Sequence, residues 1–217
     1  MSASLKLLDK SIPIINTKEM NKLIKQFGSM FPQTYCSPAI WICAQIGKLE
    51  FRPDKDLLTD IFKNWIRKLE EWKIVITPVV FYQCRETGLF HIKNHYNLLI
   101  SWIDSDKKIR LERYEPDDAT TQRGLDSELE QLLVKTLQKY TRRNISYYLV
   151  SQFGLQMKFG DKTLCGYHIL YWLIYRLKYG LEQSQKMLMN PNIRYFNDFC
   201  SCILRVENPG TCLKELR

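Results

Sequence analysis

Thr163-Leu-Cys-Gly-Tyr-His-Ile-Leu-Tyr-Trp-Leu-Ile-Tyr-Arg-Leu177 is the stretch whose reading decides the fold. It is apolar on nearly every face and long enough for roughly three to four helical turns. A helix that is apolar all round is a buried one. Gly160, Asp161 and Thr163 stand at or just before its start and supply turn and N-cap chemistry. Cys165 then falls in the first turn. There the unpaired backbone N–H groups and the positive end of the helix dipole stabilise a thiolate. Gly166 lets another backbone or a substrate come close. Taken alone, the window favours a plain core cysteine, because cysteine is among the most buried residue types. The remainder of the chain has to shift that balance.

Upstream of this helix the hydrophobic period changes. Pro53–Lys73 places Leu57, Leu58, Ile61, Phe62, Trp65, Ile66 and Leu69 at helical spacing, an aromatic stripe of the kind that packs into a core. Lys73–Tyr82 is β-branched and aromatic and reads as a strand, which Pro78 restricts to an edge or a bulge. Tyr96–Ile103 is a second strand, Asp104–Lys108 a hairpin turn, and Lys108–Tyr114 an alternating third strand. Leu125–Tyr140 is an amphipathic helix and Ile145–Val150 a fourth strand, followed by a loop over 151–162. Nearer the N-terminus, an arm precedes a helix capped by Asn16 or Thr17 and stopped by Gly28. Residues 29–38 read as a loop, and the short apolar run 39–46 leans towards helix. Leu181–Met189 and Asn192–Val206 are two C-terminal helices separated by Asn190-Pro191. The sum is α+β: helices, a small mixed and mainly antiparallel sheet, and a buried helix behind it. The expectation is one domain over 1–217, with an N-terminal arm and helices in 1–50, a core in 74–180 and C-terminal helices in 181–217.

Composition narrows the function classes. Lys plus Arg number 32 against 23 Asp plus Glu, a net charge of +9, which suits a polyanionic partner or simply a soluble basic surface. The seven cysteines show no zinc spacing, only three histidines exist, and neither an HExxH pair nor an apolar run of membrane length occurs. The N-terminus carries no signal-peptide core. The expectation is a soluble protein of a reducing compartment with free thiols, no metal and no cofactor.

A cysteine nucleophile needs a base, a group that orients the base, and a donor for the oxyanion. His95 opens the second strand and Glu115 closes its antiparallel partner, so both emerge at the same end of the sheet. Gln156 lies in the loop leading to Cys165, with Gln152 as a rival. His91 and His168 are alternatives to His95. His168 shares the helix of Cys165 and points inward with the core. The order His, acid, Gln, Cys on strand, strand, loop and helix start is far more specific than any one member.

The segments His95-Tyr-Asn-Leu-Leu-Ile and Glu112-Arg-Tyr-Glu-Pro116, with Gln156 and Cys165-Gly166, resemble those of adenain, the adenovirus processing protease, and of adenain-type proteins of large DNA viruses. These are clan CE cysteine proteases, which include the SUMO-deconjugating enzymes. The resemblance covers residues 90–180. It implies an adenain-like fold, with His95 as general base, Glu115 as its orienter, Cys165 as nucleophile and Gln156 as oxyanion donor. Tyr96 would shield the histidine, and with Gly166 it would contact substrate. Leu164 stands where SUMO proteases favour Asp, which favours the adenain-like branch, and the Gln-to-Cys gap is longer than in those relatives. The implied activity is endopeptidase cleavage of viral structural precursors at Gly-rich sites during virion maturation, in the virion and the viral factory, with DNA as a polyanionic activator. The alternatives are a deubiquitinase or deSUMOylase, and a non-catalytic basic module binding nucleic acid or a virion protein.

Overall fold

The computed structural model describes residues 13–45, 48–52, 55–83, 95–117, 123–150, 154–159, 164–205 and 211–212. Helix α1 (Thr17–Gly28) begins with a capping box between Asn16 and Glu19, two residues that satisfy each other's backbone donors. Strands β1 (Thr34–Cys36), β2 (Ile40–Gln45) and β3 (Lys48–Phe51) follow, then α2 (Lys55–Glu70), β4 (Ile74–Gln83), β5 (His95–Ile103) and β6 (Ile109–Tyr114). Next come α3 (Arg123–Leu137), β7 (Ile145–Leu149), a short α4 (Leu155–Phe159), the long α5 (Cys165–Met189) and α6 (Ile193–Arg205).

The sheet runs β3-β2-β4-β5-β6-β7, with β1 beside β4. Its β4–β5, β5–β6 and β2–β3 ladders are antiparallel, whereas β6–β7, β2–β4 and β1–β4 are parallel. Helices cover both faces. Tyr96, Leu98, Ile100 and Tyr114 pack with α1, α5 and α6 on one side. Leu99, Leu111, Val75 and Val79 pack with α2 and α3 on the other. This is the α+β architecture expected, with the cysteine helix buried against the sheet.

Four readings change. Residues 39–46 hold a strand, β2, because Ile40 and Ile42 are fully buried between two ladders, where an apolar run needs no alternation. The loop over 29–38 contains β1, and the loop over 151–162 contains α4. Pro78 sits in an interior strand rather than at an edge. Its missing N–H falls in the gap between β1, which pairs residues 74–76, and β2, which pairs 79–83. On its other side Pro78 lies opposite Leu98.

Gly180 interrupts α5 with a kink, its φ of 81° being the left-handed conformation that favours glycine, and the segment beyond it is the helix expected over Leu181–Met189. The N-cap position of α5 belongs to Leu164, which makes no side-chain capping bond. Asp161 and Thr163, the residues read as cap and turn, lie outside the described residues.

The thiols are not all free. Cys202 is bonded to the wholly buried Cys212, with the two Cα atoms 5.6 Å apart, inside disulfide range. Cys43 is also disulfide-bonded, whereas Cys36, Cys165 and Cys200 are free. Cys84 lies outside the described residues. Among the described residues no helix is long and apolar enough to cross a membrane.

Candidate active site

His95 is the first residue of β5 and pairs with Phe81, two residues before the end of β4. The β5–β6 ladder aligns Leu98 with Tyr114, so Glu115, just past β6, arrives diagonally across from His95 at one rim of the sheet. The imidazole Nε2 and Glu115 Oε1 are 2.5 Å apart, and both residues are buried. With Nε2 taken, Nδ1 is the nitrogen left for the thiol. The Cys165 side chain lies close enough to the imidazole to help raise its pKa. The sheet rim and the first turn of α5 thus bring three sequence-predicted residues into one line: Glu115, His95, Cys165.

Burial opposes charge on the imidazole, but the Glu115 carboxylate and the Cys165 side chain outweigh it and raise the His95 pKa to about 10. Burial likewise opposes charge on Glu115, but His95, Arg113 and the Asp117 backbone N–H hold that carboxyl down at about 2.

The short helix α4, which carries Gln156 where the sequence suggested a loop, is locked to the end of β6. The Gln156 N–H donates to the Pro116 carbonyl at 2.7 Å, Gly154 N–H to Asp117 O at 3.0 Å, and Leu155 N–H to the Tyr114 hydroxyl at 3.2 Å. Tyr114 in turn stacks on Trp172 of α5, with ring centroids 4.6 Å apart. Gln156 is 2% exposed, and its Oε1 is buried without a hydrogen-bond partner. Gln152 and His91, the rivals to Gln156 and His95, lie outside the described residues. His168 is fully buried and stacks flat on Phe196 at 4.2 Å.

Tyr96 is buried in the core beside α5, and its hydroxyl meets Thr17 Oγ1 at 3.0 Å. At Gly166 the close approach is made by the N-terminal segment: a Cβ there would meet Met20 Cε at 2.8 Å and Ile15 at 3.4 Å. Sequence reasoning missed Gly154 and Arg113. A Cβ on Gly154 would overlap the Pro116 carbonyl and the Glu115 oxygen. Arg113 is wholly buried and donates to Glu115 Oε2 at 2.9 Å. The signal for Arg113 was available: it shares the strand face of Leu111, where a charge is out of place.

No protein-family model matches the sequence, and no curated protein matches it. Solved structures do. ChlaDub1 from Chlamydia trachomatis superposes with a TM-score of 0.57 at 12% identity, over 98% of this chain and 97% of that one. The Legionella pneumophila effector protein RavZ gives 0.59 at 11% identity over 94% of this chain. The chain spans 65% of the length of that RavZ chain. At such identities the likeness is one of fold: this chain shares the α+β architecture of those structures along nearly its whole length.

Proposed function

We propose that this chain is a cysteine peptidase acting on polypeptide. Cys165 Sγ attacks a peptide or isopeptide carbonyl carbon, and His95 takes the thiol proton. The developing oxyanion is held by the Cys165 backbone N–H and the Gln156 amide. The C–N bond breaks as His95 returns the proton to the leaving amine, and a thioester remains. Water, deprotonated by His95, then hydrolyses the thioester and restores the thiol. The observation that carries this reading is the buried line Glu115–His95–Cys165 at the start of a core helix.

The finer reading is cleavage of viral structural precursors at Gly-rich sites during virion maturation, inside the virion and the viral factory. It is supported by the resemblance of the His95–Pro116 and Gln156–Gly166 segments to adenain. DNA as a polyanionic activator is supported by the net charge of +9. A second reading, cleavage of ubiquitin-like conjugates, is favoured by the likeness to RavZ, which was solved in complex with human LC3B.

The test compares the chain with Cys165→Ala on Gly-rich peptides and on ubiquitin-like proteins carrying a C-terminal electrophile, with and without DNA. Cleavage or labelling by the chain alone supports a peptidase, and the substrate that reacts decides between the two readings. Equal turnover by both proteins removes the peptidase reading. No reaction together with salt-sensitive DNA binding leaves a non-catalytic basic module.

A further inference from the structure

Strand β6 carries a guanidinium where its neighbours on the same face are hydrocarbon. Arg113 is 0% exposed and lies opposite Leu99, on the face that packs with α2 and α3. A buried cation is costly unless acceptors surround it. Here Nε donates to Asn97 Oδ1 at 2.6 Å, Nη1 to Asp126 Oδ1 at 2.5 Å and Nη2 to Glu115 Oε2 at 2.9 Å. Three acceptors from β5, α3 and the end of β6 thus meet one rigid fork. The two Glu115 oxygens are divided. Oε2 faces Arg113, while Oε1 faces His95 and the Asp117 N–H. Any rotation of the carboxylate away from the imidazole breaks the Arg113 bond as well.

We infer that Arg113 is the positioning residue of this site, holding the Glu115 carboxylate against His95 from behind while Asn97 and Asp126 hold Arg113. The inference rests on the Cys165–His95–Glu115 reading. A second buried pair shows what a purely structural version looks like. Arg176 of α5 donates to both oxygens of Glu112, which also accepts from the Tyr148 hydroxyl, and no candidate site residue takes part.

The charged and titratable groups around the carboxylate and its clamp are His95 from β5, Glu115 itself, Asp126 from α3, and the Tyr147 hydroxyl of β7, which donates to Asp126 at 2.7 Å. The Arg113 charge helps keep Glu115 ionised. Without it the carboxyl takes up a proton at higher pH, and the imidazolium loses its anionic partner there. The acid limb of Cys165 reactivity therefore moves up.

The experiment measures iodoacetamide alkylation of Cys165 by peptide mapping from acid to neutral pH. It compares the unaltered chain, Arg113→Gln, Arg113→Lys and the control Arg176→Lys, with thermal melts on each. Arg113→Gln is expected to slow Cys165 about tenfold or more at neutral pH and to raise the acid limb by about one unit. Arg113→Lys keeps a charge but cannot span three acceptors. It is expected to slow the reaction severalfold with a smaller displacement of the limb, and it decides the matter if Arg113→Gln does not fold. Arg176→Lys is expected to lower Tm and leave the limb in place. The inference is overturned if folded Arg113 variants alkylate at the unaltered rate with an unmoved limb, or if Arg176→Lys moves the limb equally. Slow alkylation of Cys165 in the unaltered chain, no faster than Cys36, overturns the triad reading and this inference with it. Fast alkylation there with indifferent Arg113 variants overturns the role of Arg113 alone.

Discussion

Glu115 has two oxygens and serves a different neighbour with each, so its replacement should be felt twice. Glu115→Gln keeps the shape but presents one acceptor where two are used, and it leaves Arg113 and His95 short of an anion. Loss of about 10²-fold or more in kcat/KM is expected on whichever substrate the chain cleaves, from the unoriented base. A stability loss of about 3–5 kcal/mol is expected in urea denaturation, from the uncompensated buried cation. A loss of stability with activity intact would show that the carboxylate serves only the fold. His95 and Glu115 were legible in the sequence because hairpin arithmetic alone brings a strand's first residue beside the end of its partner. Arg113 stood out only as a charge on the strand face of Leu111; its partners were not legible, since two of its acceptors lie on β5 and α3, and only the folded sheet gathers them.

Elements are joined around this site by short backbone contacts and by buried ion pairs. Gly154 lies so close to the Glu115–Pro116 backbone that a methyl group cannot be accommodated without moving the segment that carries Gln156. Gly154→Ala should cost about 1–3 kcal/mol in urea unfolding, as overpacking does, and should lower kcat more than it raises KM. An unchanged kcat would separate this segment from the chemistry. On the opposite face of β6, Arg176 ties α5 to Glu112. Arg176→Met leaves a buried carboxyl whose pKa burial already raises, with only the Tyr148 hydroxyl bonded to it. A loss of about 3–5 kcal/mol is expected in the same measurement. The element reading succeeded where one period ran long, as in α2 and α5. It failed at β2, where Ile40 to Gln45 is too short for periodicity to separate a doubly covered strand from a buried helix. Pro78 misled because the edge rule assumes a continuous neighbour, and β4 has two successive ones.

At the scale of the molecule, helices on both sheet faces hide nearly everything that could react, and the candidate site sits where one rim meets the first turn of α5. The sheet's parallel pairings were invisible in the sequence because β1 and β2 find β4 across α2, a long-range choice that local composition does not encode. Ionisation of the buried pair should appear in global stability. The folded pKa of Glu115 is depressed to about 2, so its contribution is present above the unfolded value of about 4.3 and is lost as pH falls through that window. The folded pKa of His95 is raised to about 10, so its contribution is complete below the unfolded value of about 6.5 and is lost as pH rises from there to about 10. Both limbs describe one ion pair and count once. Urea midpoints across pH should therefore fall on the alkaline side, and His95→Gln should flatten that fall. The most direct check is the rate at which iodoacetamide modifies Cys165, relative to the free thiol Cys36, at mildly acidic pH with and without His95→Ala. A nucleophile paired with an imidazolium reacts well ahead of Cys36 and slows sharply once the imidazole is removed. A Cys165 that lags Cys36 and is indifferent to His95→Ala would contradict it.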